Sequence, residues 1–198
     1  MKMSAGDAIA TEDETSKDRF SIFPDKKHNP VLQIDSEGDE DYINAVKVPS
    51  LNTQPEQFLT QLPMPTTVND FWRLVTQYKV SLIVAFKSYE NDKTLATYLP
   101  NQVNEPLQCG NLTVNEYSIN IAPTWEEMKL IVQGQHSHKV THLTYTKPDV
   151  EPKYLLPFVQ RARALRTLGD AVVYTCSIAT LCQPEKKCAN FYLTLSLT

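Results

Sequence analysis

The sequence predicts an α/β domain built on a mixed sheet, and three observations carry that expectation. Residues 80–86 form an apolar run of the length of one buried strand. Two segments repeat apolar residues at i, i+3, i+4 and i+7, the mark of an amphipathic helix. Between them, shorter runs with strand composition are separated by turn residues. Helices interleaved with strands, one helix feeding a buried strand, are the pattern of a sheet covered by helices.

The first helix is announced by Thr67-Val68-Asn69-Asp70, a capping box with Asp in the Glu position. Phe71, Leu74, Val75 and Tyr78 follow on one face, and the helix is expected to end near Lys79. Trp72 reads as a core residue. Residues 31–34 and 42–45 are strand-like, and the acidic stretch Asp35, Glu37, Asp39, Glu40, Asp41 between them reads as a solvated loop. Residues 95–98 are expected to form a short strand, with Pro100 and Asn101 in a turn. Residues 112–121 and 128–132 are strand candidates. A turn over 134–139 and a returning strand over 140–146 make a hairpin. Pro152 opens the second helix, with Leu155, Phe158, Val159, Ala162 and Leu165 on its apolar face. Arg161, Arg163 and Arg166 read as a solvated face favoured by the helix dipole, with an anion site as the alternative. Gly169 suits the position after the helix end. Residues 171–174 read as a further buried strand.

Composition bounds the function. The chain has 198 residues, 41% apolar and 21% charged, ordinary for one globular domain with a sizeable core. A net charge of −4 lacks the basic field that nucleic acid requires, so no nucleic-acid partner is expected. No apolar run approaches the ~20 residues of a membrane helix. Three of the four cysteines, Cys176, Cys182 and Cys188, crowd toward the C-terminus, unlike a disulfide framework. That points to a reducing, cytoplasmic compartment. Their six-residue recurrence beside His136, His138 and His142 fits no zinc-finger spacing, so neither metal nor cofactor is expected.

Five separated segments resemble the protein-tyrosine phosphatase family, in order along the chain. They are Lys17-Asp18-Arg19-Phe20, Asp41-Tyr42-Ile43-Asn44-Ala45, Phe58-Leu59-Thr60-Gln61-Leu62-Pro63, Thr67-Val68-Asn69-Asp70-Phe71-Trp72-Arg73-Leu74-Val75, and Tyr98-Leu99-Pro100. The chain is most similar to the degenerate, membrane-distal second domain of receptor-type members. The resemblance implies a central mixed, twisted sheet flanked by helices over residues 17–177. It also implies a divergent segment at 178–198 that leaves the fold C-terminally incomplete, while the polar, aperiodic stretch at 1–16 reads as a disordered lead-in. Without the family's following helices, the strand at 171–174 is expected to show a bare apolar face.

The resemblance also implies a site. Cys176 falls at the nucleophile position and Asp149, in Lys147-Pro148-Asp149, at the general-acid position of a Trp-Pro-Asp loop. Arg19 and Phe20 fall in the phosphotyrosine loop, where Phe20 stands in for a stacking Tyr. The nucleophile loop departs from His-Cys-x5-Arg: it reads Thr175-Cys176-Ser177-Ile178-Ala179-Thr180-Leu181-Cys182. No Gly frees the backbone amides to cradle phosphate, and Cys182 stands where the Arg clamp belongs. The reading is a catalytically inactive phosphatase-like domain with a binding or regulatory role, its partner a phosphatase domain or a phosphotyrosine protein. Two alternatives stand beside it: an active tyrosine phosphatase using Cys176 and Asp149, or a non-functional truncated product.

Overall fold

The computed structural model describes residues 29–34, 40–48, 56–86, 96–101, 105–148, 151–167 and 169–176. Among these residues eight strands and two helices follow in the order β1 (Ala45–Val48), β2 (Gln57–Gln61), α1 (Val68–Gln77), β3 (Val80–Phe86), β4 (Leu107–Cys109), β5 (Leu112–Ile121), β6 (Trp125–Gln133), β7 (Ser137–Tyr145), α2 (Pro152–Leu165) and β8 (Ala171–Cys176). All eight strands form one sheet in the order β1-β2-β8-β3-β7-β6-β5-β4. Its centre, β2-β8-β3-β7, is parallel, and both wings are antiparallel.

The connections explain the layers. From β2 the chain passes through α1 to β3, stepping over the place that β8 later fills. From β7 it passes back through α2 over β3 to β8. Right-handed crossovers running in opposite directions along a sheet put their helices on opposite faces. Accordingly, Phe71, Trp72, Leu74 and Val75 of α1 pack with Phe58, Ile83 and Val173. Phe158, Val159 and Ala162 of α2 pack with Leu82, Val84, Leu143, Val172 and Tyr174 on the other face. Alternate residues of β3 and β8 thus serve two cores, which is why both read as unbroken apolar runs. All six residues of β8 are buried, so the expected bare face is absent. Of the expected apolar face of α2, Leu155 is half-buried and Phe158 fully buried.

Several local expectations are corrected. No capping box forms at α1: the Thr67 hydroxyl accepts from the Met64 amide at 2.9 Å, and Asp70 pairs with Arg73 at 3.0 Å. The helix stops at Gln77, and Lys79 turns the chain into β3 at φ 53°. Residues 96–98 form no strand; the Ala96 amide donates to the Pro63 carbonyl at 3.0 Å. Nor do residues 31–34, because side chains of α1 take their backbone groups instead. Gln77 both accepts from the Gln33 amide and donates to the Val31 carbonyl, each at 2.8 Å, and Arg73 donates to the carbonyls of Gln33 and Glu40. The β6–β7 turn is shorter than expected, since β7 begins at Ser137 and contains His138. Gly169 does not end α2, which closes at Arg166; its φ of 95° serves the turn into β8.

Arg161 is not simply solvated. Its Nε donates to Glu127 Oε2 at 2.7 Å, tying α2 to β6. Burial alone would raise the Glu127 pKa, but hydrogen bonds from Arg161 and Lys129 outweigh it and hold the carboxyl below its usual range. The Glu127 side chain is 4% exposed, so Arg161→Ala leaves a buried carboxylate half-satisfied. The expected loss is about 1–3 kcal/mol of unfolding free energy, read from urea midpoints; Arg163→Ala, on the exposed face, should cost less than ~0.5 kcal/mol.

Candidate functional site

The four parallel strands point their C-terminal ends at one edge of the sheet. Thr60, Thr175, Ala85 and Thr144 share a row across β2, β8, β3 and β7. Cys176, the next residue, therefore stands level with Gln61, Phe86 and Tyr145, at the last position of the central strand. In open α/β sheets the crevice for a ligand lies outside this edge, where neighbouring crossovers leave in opposite directions. β8 lies at the centre of that edge: the crossover through α1 leaves β2 and passes over β8 on one face, and the crossover through α2 leaves β7 and passes over β3 to reach β8 on the other.

Cys176 is a thiol, 4% exposed. Its carbonyl accepts from the Leu62 amide at 2.8 Å, which fixes the segment after β2 against the end of β8. Thr175 is buried, and its hydroxyl has no hydrogen-bond partner among the described residues. A shallow hollow beside β2 is lined by Ile43, Asn44, Thr60, Gln61, Pro63, Thr67 and Phe71.

The segment that follows β7 leaves from the same edge. β7 ends at Tyr145, and the Thr146 amide donates to the Thr124 carbonyl at 3.1 Å. Lys147 follows, its ammonium 5.6 Å from the centroid of the Tyr154 ring on α2, while Lys153 lies 4.6 Å from that centroid. Two ammonium groups thus flank one aromatic ring where the chain leaves β7. Asp149, Arg19 and Phe20 lie outside the described residues, so of the residues singled out from the sequence only Cys176 is placed. Among the described residues no group of three or more His, Cys, Asp or Glu side chains is arranged to hold a metal ion. No helix among them is long and apolar enough to cross a membrane.

Other motif residues prove to be architecture. The Trp72 indole donates to the Tyr98 carbonyl at 3.0 Å, and the Phe71 ring meets Tyr98 edge-on at 5.5 Å. The Tyr98 hydroxyl lies 2.9 Å from His142 Nε2, and Thr144 Oγ1 lies 3.0 Å from His142 Nδ1. Sequence reading missed this chain of contacts, although the regular alternation of β7 does place His142 on the α1 face. Burial raises the Tyr98 pKa and lowers that of His142 to about 3. The unfolded chain takes up the His142 proton near pH 6.5, so this stabilisation is complete above about pH 6.5 and is lost as pH falls toward 3. At pH 5 it should have cost about 2 kcal/mol. His142→Gln should flatten that slope in urea midpoints measured at pH 7.5 and 5.

Comparison with known proteins agrees with this architecture. A family model described as "Protein-tyrosine phosphatase" matches residues 14–179. Tyrosine-protein phosphatase non-receptor type 23 of Mus musculus is 34% identical over 174 residues, covering 76% of this chain and 10% of its own length. Receptor-type tyrosine-protein phosphatase eta of Mus musculus is 29% identical over 140 residues, covering 67% of this chain and 11% of its own. The chain spans only about a tenth of the length of these curated relatives. The solved catalytic domain of human protein tyrosine phosphatase non-receptor type 18 superposes with a TM-score of 0.76 at 28% identity. It covers 85% of this chain, which in turn spans 64% of that one. The phosphatase of that name has also been solved in complex with HER2 phosphopeptides. The mixed twisted sheet, its two covering helices and these matches together make the chain a member of the protein-tyrosine phosphatase family.

Proposed function

We propose that this chain is a pseudophosphatase: a phosphatase-like domain that binds or regulates and does not hydrolyse. The observation that carries the reading is the sequence after Cys176, which has no Gly and has Cys182 in place of the Arg. Phosphate binding in such a loop needs a ring of backbone amides, and β-branched Ile178 and Thr180 resist the conformations that form it. It also needs a bidentate cation, which a thiol cannot replace. Cys176 keeps the nucleophile position and Asp149 the acid position, without the electrostatics that would hold a thiolate and a phosphoryl group. In the phosphotyrosine loop, Phe20 retains a stacking face beside Arg19, while Asp18 adds negative charge where an anion would lie.

The partner is a phosphotyrosine protein or a phosphatase domain, and the phosphopeptide complexes of the type 18 enzyme favour the first. The test has two arms. Hydrolysis of an aryl phosphate should stay at background. Anisotropy titration should show a labelled phosphotyrosine peptide binding through its aromatic ring, so that Phe20→Ala weakens it while removal of the phosphate changes it little. Turnover abolished by Cys176→Ser would instead establish a working phosphatase.

A further inference from the structure

Among the described residues, the outward edge of β5 is unpaired over most of its length. β4 pairs with β5 only from Leu112 to Val114. Beyond a bulge between Glu116 and Ser118, nothing among the described residues pairs with the outer side of residues 117–121. Tyr117, Ile119 and Ile121 are exposed, Ile121 by 71%. Ile119 lies opposite Met128, and Ile121 opposite Glu126, so both stand on the sheet face that α1 covers. An edge strand usually carries a Lys, a Pro or an inward charge that blocks further pairing. Tyr117-Ser118-Ile119-Asn120-Ile121 carries none.

The chain itself contains a segment of matching pattern. Phe191, Leu193, Leu195 and Leu197 alternate with Tyr192, Thr194, Ser196 and Thr198, and the stretch has no charge, Gly or Pro. Strict period-two alternation is the signature of a strand with one apolar face. Topology puts this segment within reach. β7 is parallel to β8, β6 is antiparallel to β7, and β5 is antiparallel to β6. Ile121 therefore ends at the same edge of the sheet as Cys176. From β8 to a position outside β5 is five strand spacings, roughly 24 Å. The chain from Cys176 to Phe191 extends to roughly 50 Å. Its Pro184, Glu185, Lys186 and Lys187 suit a polar connection.

We propose that residues 191–197 add to the sheet as a strand antiparallel to β5, with Phe191, Leu193 and Leu195 beside Ile121 and Ile119. Arriving at the Ile121 end, the segment runs down the open edge until β4 blocks it. Its own chain is favoured over a second copy because a tether of this length holds it at an effective concentration of about millimolar.

Hydrogen exchange of the full chain, read by mass spectrometry, tests this. Amides of residues 191–197 should exchange at least ~10-fold more slowly than an unstructured chain. Ile121→Lys, at a side chain that the sheet does not need, should return them to the unstructured rate and leave the amides of β3 and β8 unchanged. Unprotected amides in the unsubstituted chain overturn the proposal. So does protection that survives both Ile119→Lys and Ile121→Lys. Protection that fades on dilution, with the mass of a dimer, also overturns it, because the edge then pairs between copies.

Discussion

The purified chain should hydrolyse an aryl phosphate no faster than its Cys176→Ser variant. Loss of one preorganised donor at a developing anion costs about 10²–10³ in rate. On the proposed reading Cys182 stands where a bidentate cation would bind, and Ile178 and Thr180 stand where Gly would free the amides to share the phosphate charge. Two independent losses of that size leave at most about 10⁻⁴ of the rate of an intact site. Cys182→Arg should therefore not restore activity alone, since the cation returns and the cradle does not. Single-turnover assays on the three proteins make the comparison; a rise of more than about 10²-fold from Cys182→Arg alone would mean that the loop already adopts the cradle.

Trp72→Ala should cost about 3–5 kcal/mol of unfolding free energy. The indole is 0% exposed, at the centre of the core between α1 and the sheet. Its Nε1 also holds the Tyr98 carbonyl, whose side chain reaches His142. Truncation opens a cavity and releases residues 96–101 together. Domains of this size are stable by roughly 5–15 kcal/mol, so the variant should be largely unfolded at 37 °C or shifted far down in urea. Trp72→Phe, which keeps most of the volume and loses the donor, should cost about 1–2 kcal/mol. A loss under ~1 kcal/mol for the alanine variant would show that the ring does not anchor the core.

The parts of the fold legible in the sequence are those set by periodicity. The run at 80–86 is β3 residue for residue, and Pro152 opens α2 as its fixed φ suggests. What escaped depends on tertiary partners. Asp70 and Thr67 carry a helix-start pattern, yet Arg73 and the Met64 amide claim them. Residues 31–34 have strand composition, but Gln77 and Arg73 satisfy their backbone groups before any strand can. Arg161 meets Glu127 only because the tertiary fold brings a side chain of α2 within reach of β6, a relation that no local window contains. At the sheet edge, the strand that ends in Cys176 was legible as the apolar run at 171–174. The Lys147–Tyr154 contact was not, because it joins a loop start to a helix that merely happens to follow.

The position of β8 has a consequence for how the chain acquires its structure. It is the last described strand in sequence and lies between β2 and β3 in space. Until residue 176 has left the ribosome, the parallel half of the sheet cannot close. The β1–β2 hairpin and the β3-to-β7 sheet then remain two pieces, each presenting a long apolar edge. Joining them needs contacts between residues more than a hundred positions apart, such as Phe58 with Val173, and such non-local pairing is slow. Nascent chains of this topology spend that interval open to wrong partners. Chaperone demand and loss to aggregation should therefore concentrate in the interval after β7 is made and before β8 leaves the ribosome.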